Sequence, residues 1–386
     1  MRGTLARAHA SRPRAATLAL AALAAGLAAA APAAEAGTPA PLPRLTTSQL
    51  AGQRVIYSYP GVNPPASLFA RIRQGQAAGV IFFGENITSH SQIRGVVRRL
   101  QAARLSSPVR TPLLVMTDQE GGIVKRLPGA PELSAKQVGE APNNSGAASN
   151  AGRGAGLNLR GVGINVNLAP VLGVYRETGN FLDQFGRSFS RNPFTVTRLA
   201  SRFVTAQQRT GVAATAKHFP GLGAATANQN TDEGPVTLRL SLNTRRNVDM
   251  RPYATTIRAG VRLVMCSGAV YPTFDPSRPS GLSSRIVQGQ LRQRLGFQGV
   301  TITDALEAGA LQRFGSIGNR TLLAAQAGMD VLLFSNKDVG EGDQGLGALT
   351  TALRRGRLAR PAFEASVRRI LALREDLARR GPLAAP

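Results

Sequence analysis

Several polar side chains directly follow short apolar runs in this sequence. Asp304 ends the run GVTIT, Asp118 and Glu120 follow LLVMT, and Lys217-His218 end a run that begins AATA. A carboxylate in such a place can serve as a nucleophile, a general base or a metal ligand, and a buried lysine needs a partner or ligand oxygens. Position alone leaves other roles open. Asp304 also fits a helix N-cap, the acidic pair fits a solvated turn, and His218 fits a structural hydrogen bond.

Two local features refine these candidates. The glycine pair at 121–122 permits close approach of the backbone to a ligand. Lys217 and His218 are adjacent in a predicted strand, so we expect one to face the site and the other to pack.

Other catalytic chemistries lack the residues they need. The chain has three His, of which His9 is near the N-terminus, so His90 and His218 cannot form a His-rich zinc site. No nucleophile elbow is present for a Ser-His-Asp hydrolase. The single Cys266 lies in the apolar run VRLVMCSG, which predicts a buried packing residue and rules out an intramolecular disulfide. We therefore expect no metal and no cofactor.

Short apolar runs alternate with helical patterns from residue 54 onward. The eight runs are 54–59, 79–83, 113–117, 163–168, 213–217, 263–267, 300–303 and 331–335. Continuous Val, Ile and Leu is typical of parallel strands buried on both faces. Eight β/α units predict a closed (β/α)₈ TIM-like barrel in one domain over 51–380, with chemistry at the carboxyl ends of its strands. An open doubly wound sheet is the alternative, but no G-x-G-x-x-G follows the first strand.

The first 36 residues have the features of a signal peptide. Four arginines precede an Ala- and Leu-rich run, and Ala34-Glu35-Ala36 supplies small residues at the cleavage spacing. No Cys follows the run, which argues against a lipid anchor, and an uncleaved membrane anchor is the alternative. We expect residues 37–50 to form a leader. The mature protein is then secreted or associated with the cell envelope, without stable membrane insertion.

The charge balance is strongly basic. The chain carries a formal net charge of +26, of which residues 1–36 contribute +3. The arginines are spread along the chain, as on solvated helix faces, and no aromatic residues interleave with a basic cluster to stack bases. We expect no nucleic-acid partner, and the charge favours retention near an anionic envelope.

The ordered motifs resemble family 3 glycoside hydrolases, in particular the short β-N-acetylhexosaminidases that trim peptidoglycan fragments. The motifs, within about residues 50–380, are GVIFFGENI, LLVMTDQEGGIVKRLPG, GINVNLAPVLGV, FGRSFSRNP, TAKHFPGLG, LVMCSGAVYP and LRQRLGFQGVTITDAL. The resemblance implies a retaining mechanism with Asp304 as nucleophile. It also implies that Asp118 binds distal hydroxyls of the terminal sugar, and that the other sugar contacts are Arg126, Arg187, Lys217 and His218.

One motif departs from the family. Its N-acetylhexosaminidases carry the general acid/base as an Asp-x-His pair after KHFPGHG, whereas this loop reads KHFPGLGAATANQNTDEGPV and contains no later His. In ungapped register the pair falls on Asn228 and Asn230, and neither amide can exchange a proton usefully. With a two-residue insertion, Asp232 takes the role, since a carboxylic acid with a raised pKa suffices. Alternatively, Asp232 and Glu233 are solvated turn residues.

These observations predict a monomeric, exo-acting glycosidase whose partner is a carbohydrate. We expect it to remove a terminal β-linked sugar, N-acetylglucosamine above others, from cell-wall or chitin-like fragments. A β-glucosidase of the same family and a non-catalytic sugar-binding relative are the alternatives. Activity on aryl glycosides separates the last of these from an enzyme.

Overall fold

Eight apolar runs form eight parallel strands that close into a barrel. The computed structural model describes residues 42–380. The barrel strands are β1 (Val55–Tyr57), β2 (Gly79–Ile81), β3 (Leu114–Thr117), β4 (Val166–Asn167), β5 (Ala213–Phe219), β6 (Leu263–Cys266), β7 (Val300–Thr303) and β8 (Leu332–Leu333). The hydrogen-bonded order is β7-β6-β5-β4-β3-β2-β1-β8, and a parallel bridge between Ile302 and Val331 joins its two ends. Each predicted run overlaps one observed strand, and the predicted barrel is confirmed.

The strands are buried on both faces because helices cover the outside. In β1, Ile56 lies in the cluster that fills the barrel interior, whereas Val55 and Tyr57 pack in the outer layer. In β3, Leu114 and Met116 point inward and Val115 outward. The period of two along each strand thus divides one continuous apolar run between two cores. Cys266 is buried, as predicted.

A helix follows each barrel strand. These helices are α1 (Ala66–Arg73), α2 (His90–Ala103), α3 (Asn144–Gly161), α4 (Pro193–Gln208), α5 (Arg251–Arg258), α6 (Arg285–Arg294, with wider π-type hydrogen bonds), α7 (Ile317–Ala327) and α8 (Val339–Arg354). Local sequence sets several of their starts. Asn192 caps α4 by accepting from the backbone N–H groups of Phe194 and Thr195, with Pro193 in the first turn. Ser316 caps α7 by accepting from the Asn319 N–H. Shorter helical segments are Thr47–Gly52, Gly84–Asn86, Arg104–Ser106, Ala135–Glu140, Leu242–Thr244, Arg245–Asp249, Ser280–Leu282 and Gly309–Phe314.

A ninth long helix, α9 (Arg360–Arg379), closes the amino-terminal end of the barrel. Its Ile370, Leu373 and Leu377 complete the interior cluster. Arg374 donates hydrogen bonds to the carbonyls of Thr111 and Pro112, just before β3. The barrel is therefore sealed at its base, and its interior opens toward solvent at the carboxyl ends of the strands.

Two short hairpins that the sequence did not predict lie at the carboxyl end of the barrel. Gln119–Gly121 pairs with Val124–Lys125 after β3, and Val270–Tyr271 pairs with Asp275–Pro279 after β6. A Cβ added to Gly121 would stand 2.2 Å from the carbonyl oxygen of Leu133. The glycine thus allows close contact with a neighbouring protein segment, and the predicted close approach of its backbone to a ligand stays a prediction.

The first helical segment of the described chain is Thr47–Gly52, whose Leu50 and Ala51 pack in the core. The predicted domain start at residue 51 falls inside this helix. The predicted signal peptide at 1–36, and the first part of the leader, lie outside the described residues. Between residues 42 and 380, no helix combines the length and the apolar character needed to cross a bilayer.

Candidate active site

A cavity of about 380 Å³ opens at the carboxyl end of the barrel. All seven residues expected from the sequence to be catalytic or sugar-binding line it, although they come from six different places along the chain: Asp118, Arg126, Arg187, Lys217, His218, Asp232 and Asp304. Strand ends supply Asp118, Lys217, His218 and Asp304, as expected for a barrel of this kind. Arg126, Arg187 and Asp232 come from the loops that follow the strands.

A network of buried ion pairs forms one wall of the cavity. The Lys217 Nζ lies 2.6 Å from an Asp118 oxygen and 2.8 Å from a Glu120 oxygen. Arg187 donates two parallel hydrogen bonds to the Glu120 carboxylate, at 2.9 and 2.8 Å. Two cations and two anions are thereby held together with little freedom, since bidentate guanidinium pairs are geometrically restrictive. Glu120 was noted in the sequence as one of the acidic pair, and the structure makes it the shared partner of both cations.

The charges in this wall stabilise one another. Burial alone raises the pKa of Glu120, but the charges and hydrogen bonds of Arg187 and Lys217 outweigh it and hold that pKa well below its usual range. Burial lowers the pKa of Lys217, yet Asp118 and Glu120 raise it overall. Both groups therefore stay charged at neutral pH, and the anionic Glu120 holds Lys217 and Arg187 in place as cationic hydrogen-bond donors.

Asp304 stands where β7 ends, partly exposed in the cavity. One of its oxygens accepts a hydrogen bond from the Ala305 N–H at 3.0 Å. The next helical segment begins only at Gly309, so Asp304 does not cap a helix as the alternative supposed. Burial, and then the like charge of Asp232, raise the pKa of Asp304.

Asp232 lies in the loop after β5, at the mouth of the cavity, with its side chain exposed. Backbone hydrogen bonds fasten this loop to the segment after β7. The N–H groups of Gly309 and Ala310 donate to the carbonyls of Asp232 and Thr231 at 2.8 and 3.1 Å. Partial burial, with Asp118 and Glu233 nearby, raises the pKa of Asp232 against the opposing charges of Arg187 and Lys217.

The two asparagines at the family's acid/base positions differ in placement. Asn230 lines the cavity, whereas Asn228 is not among the lining residues. The Asn230 side chain accepts from the Asp232 N–H at 3.0 Å and donates to Glu233 at 2.9 Å. Asn230 therefore organises the turn that carries Asp232, and no hydrogen bond directs it to a proton-transfer role.

His218 and Arg126 complete the polar lining. Burial, with the charges of Lys217 and Arg187, lowers the pKa of His218 well below its usual value, so the ring is neutral. Both Lys217 and His218 line the cavity, and the expectation that only one faces the site is wrong. The register of β5 against β6 shifts between Ala216 and Phe219, which interrupts the regular alternation. Among the described residues, the buried Arg126 Nε and His218 Nδ1 have no hydrogen-bond partner.

Sequence reasoning missed one acidic residue of the cavity. Glu307 lines it and accepts hydrogen bonds from the hydroxyl and the N–H of Ser335. Burial is the main cause that raises the pKa of Glu307. Glu307 was missed because the stretch ALEAGALQRF has a helical pattern in the sequence, whereas its first residues form a loop over the cavity.

The arrangement suits acid–base and nucleophilic chemistry on a polyhydroxylated ligand. Two carboxyl groups with raised pKa values, Asp304 and Asp232, face the same space, so one can be ionised while the other keeps its proton. Lys217 and Arg187 supply fixed donors beside them. Within residues 42–380, no group of three or more His, Cys, Asp or Glu is placed to hold a metal ion.

Comparison with known proteins identifies the family. The model of the glycosyl hydrolase family 3 N-terminal domain matches residues 48–373. A relative in Arthroderma benhamiae, described as an uncharacterized secreted glycosyl hydrolase, is 46% identical over 89% of this chain and 97% of its own length. A β-hexosaminidase A of Pseudoalteromonas piscicida is 30% identical over 88% of this chain.

A solved structure agrees with this assignment. The β-N-acetylglucosaminidase of a Paenibacillus species, a family 3 enzyme, superimposes with a TM-score of 0.82 at 31% identity, over 89% of this chain. The chain spans 64% of that protein and 62% of the Pseudoalteromonas relative. With its barrel, its acidic cavity and these matches, the chain belongs to glycoside hydrolase family 3 and is a glycoside hydrolase that resembles the β-N-acetylhexosaminidases.

Proposed function

We propose that this protein is an exported, exo-acting, retaining glycosidase that removes terminal β-linked N-acetylglucosamine from cell-wall or chitin-like fragments. The observation that carries the proposal is the presence of Asp304 and Asp232 in one cavity, beside the fixed cations Lys217 and Arg187. A nucleophile, a proton donor and sugar-binding donors are the parts that a retaining mechanism needs.

In the first step, the ionised Asp304 attacks the anomeric carbon of the sugar. The glycosidic C–O bond breaks, and the leaving oxygen takes the proton of Asp232. The products are a glycosyl ester on Asp304 and the free aglycone. Burial raises the pKa of both carboxyl groups, and the like charge of Asp232 raises that of Asp304 further, so the pair can share a single proton. The Ala305 N–H and the nearby cations favour the charged form of Asp304.

In the second step, water replaces the aglycone. Asp232, now ionised, accepts a proton from the water as its oxygen attacks the anomeric carbon, and the ester bond to Asp304 breaks. Asp232 is exposed at the cavity mouth, where both an aglycone and water can reach it. The two inversions leave the β configuration at the anomeric carbon unchanged.

The remaining polar residues orient the sugar. Asp118 has one oxygen on Lys217, which leaves the other free for a distal hydroxyl. Lys217 and Arg187 donate from the wall, and Arg126 and the neutral His218 also line the cavity as further sugar contacts. Several such contacts fix the ring for attack. Because α9 seals the base of the barrel, the cavity suits a chain end, which supports exo action.

The choice of sugar and the export are supported by the relatives. The Paenibacillus and Pseudoalteromonas proteins are named for N-acetylglucosamine or hexosamine substrates. The Arthroderma relative is described as secreted, and residues 1–36 have the charge and apolar pattern of a signal peptide.

The test is a panel of aryl β-glycosides: N-acetylglucosaminide, glucoside and xyloside. We expect the N-acetylglucosaminide to be hydrolysed fastest, with the β-anomer as the first product by NMR. Asp304→Ala should abolish turnover. Asp343→Ala, which removes an ion pair with Arg71 away from the cavity, is the matched control and should retain it.

The other outcomes separate the alternatives. Faster turnover of the glucoside would identify a β-glucosidase, and an α-anomer as first product would refute retention. Binding of sugar with no turnover of any aryl glycoside would identify a non-catalytic relative, since aryl leaving groups do not require protonation.

A further inference from the structure

A second cavity lies on the outer wall of the barrel, between α3 and α4. It measures about 870 Å³. Its lining includes five arginines and no carboxylate: Arg153, Arg160, Arg198, Arg202 and Arg209. We call this the arginine groove. It does not share a residue with the active-site cavity.

Glycines bring the two helices close enough to form the groove. A Cβ added to Gly152 would stand 2.2 Å from the carbonyl oxygen of Phe203, and one added to Gly156 would stand 2.2 Å from the Thr210 hydroxyl. The rows 150-153-157-160 and 198-202-205-209 recur every three or four residues, so each forms one face of its helix. The groove therefore has two parallel basic walls.

The charge of the groove is not neutralised by nearby acids. Residues 141–176 and 184–231 contain no Asp or Glu. Within residues 42–380, none of the five arginines forms an ion pair with a carboxylate. Within the described part of the chain, only Arg160 and Arg198 of the five make side-chain hydrogen bonds, to the carbonyl of Thr210 and to Asn144 and Ser145. The other three are exposed, and none of the described residues pairs with them.

The rest of the lining points to a sugar polymer. Side chains of Ser149, Asn150 and Ser201 can bond hydroxyl groups, and Leu157, 44% exposed, offers an apolar surface to the C–H face of a sugar ring. No aromatic side chain lines the groove to stack a base. Guanidinium groups pair well with carboxylates.

We propose that the arginine groove binds an extended acidic polysaccharide, one whose sugar units carry carboxylates, and so holds the enzyme on an anionic glycan while the active site works elsewhere. The groove is a binding site only and takes no part in hydrolysis. The inference does not depend on which sugar the active site removes.

The test measures binding of fluorescently labelled oligogalacturonate to the full-length protein by anisotropy. The test variant is Arg153→Gln/Arg202→Gln/Arg209→Gln. The matched control is Arg98→Gln/Arg354→Gln/Arg355→Gln, which removes the same net charge from exposed positions on α2 and near the end of α8. We expect the test variant to bind about tenfold more weakly, the control to bind within about twofold of wild type, and the wild-type affinity to fall as salt increases.

Two further measurements make the result decisive. Leu157→Asp places a carboxylate on the groove surface and should also weaken binding, while leaving turnover of an aryl glycoside unchanged. Neutral dextran should not bind. An equal loss of affinity in both triple variants would overturn the proposal, because the binding would then follow net charge alone. Tighter binding of single-stranded DNA of equal length, lost in the same groove variant, would also overturn it.

Discussion

The clearest quantitative consequence of the structure concerns Glu120, the shared partner of Lys217 and Arg187. Its side chain is only 5% exposed, and three charge-assisted contacts of 2.8–2.9 Å converge on it. The change Glu120→Gln keeps the size but removes the charge and directs an amide donor at cationic donors. We therefore expect it to destabilise the fold and weaken substrate binding together.

The size of the effect follows from these contacts. Removing one partner of a buried ion pair lowers the free energy of unfolding by about 3–5 kcal/mol. Lys217 retains Asp118 at 2.6 Å, whereas Arg187 loses its only carboxylate partner within the described chain. The lower end, about 3 kcal/mol, therefore applies. With unfolding entropy of about 2.1 cal/mol/K per residue over residues 42–380, this corresponds to a fall in Tm of roughly 4 °C.

The assay is thermal unfolding at pH 7, with Glu132→Gln as the matched control. Glu132 also pairs with a lysine but is 69% exposed, so its loss should move Tm by less than about 1 °C. The double change Glu120→Gln/Arg187→Gln should recover part of the loss, since it removes the unpaired buried cation. Equal effects of Glu120→Gln and Glu132→Gln would refute the reasoning.

The same pair of proteins tests the pH dependence. The pKa of Glu120 is depressed in the folded state, so its contribution is complete above the ordinary glutamate pKa and is lost as pH falls below it. The Tm difference between wild type and Glu120→Gln should stay constant from pH 7 to about 5 and shrink below about pH 4.3. A Tm difference that grew as the pH fell would contradict a depressed pKa of Glu120 in the folded state.

Three further predictions address the catalytic residues and the thiol. Asp232→Asn should slow hydrolysis of poor leaving groups by about 10²–10⁴-fold and of dinitrophenyl glycosides far less; equal slowing would reject Asp232 as the proton donor. The same change should remove the alkaline limb of kcat/KM, because that limb reports loss of the Asp232 proton, whose pKa is raised mainly by burial; an unchanged alkaline limb would show that another group donates the proton. Cys266 is buried with a thiol pKa raised to about 12, so a disulfide reagent should label it only after unfolding.

The barrel could be predicted because its strands leave a strong signal. A parallel strand covered on both faces reads as a continuous apolar run, and eight such runs separated by helical patterns allow few other folds. The two hairpins at the carboxyl end left no such signal. Gln119–Gly121 and Val124–Lys125 are short and polar, so their sequence resembles an ordinary loop.

The site was predictable in part for the same reason. Asp118, Lys217 and Asp304 interrupt or end apolar runs, and their position marks them. Asp232 and Glu307 lie in loops whose course depends on long-range contacts, such as the hydrogen bonds from Gly309 and Ala310. Lys217 and His218 both face the cavity because the register of β5 against β6 shifts between Ala216 and Phe219. The sequence does not reveal this shift.

The position of α9 has a practical consequence for presenting this enzyme on a solid support. The helix runs beneath the barrel, with Arg374 held at the start of β3 and Leu377 in the interior cluster. A linkage at its last residues therefore places the support on the side away from the cavity mouth. Enzyme immobilised in this way should retain its turnover of glycan ends, whereas attachment through the exposed Ile123, in the hairpin beside Asp118, should obstruct access.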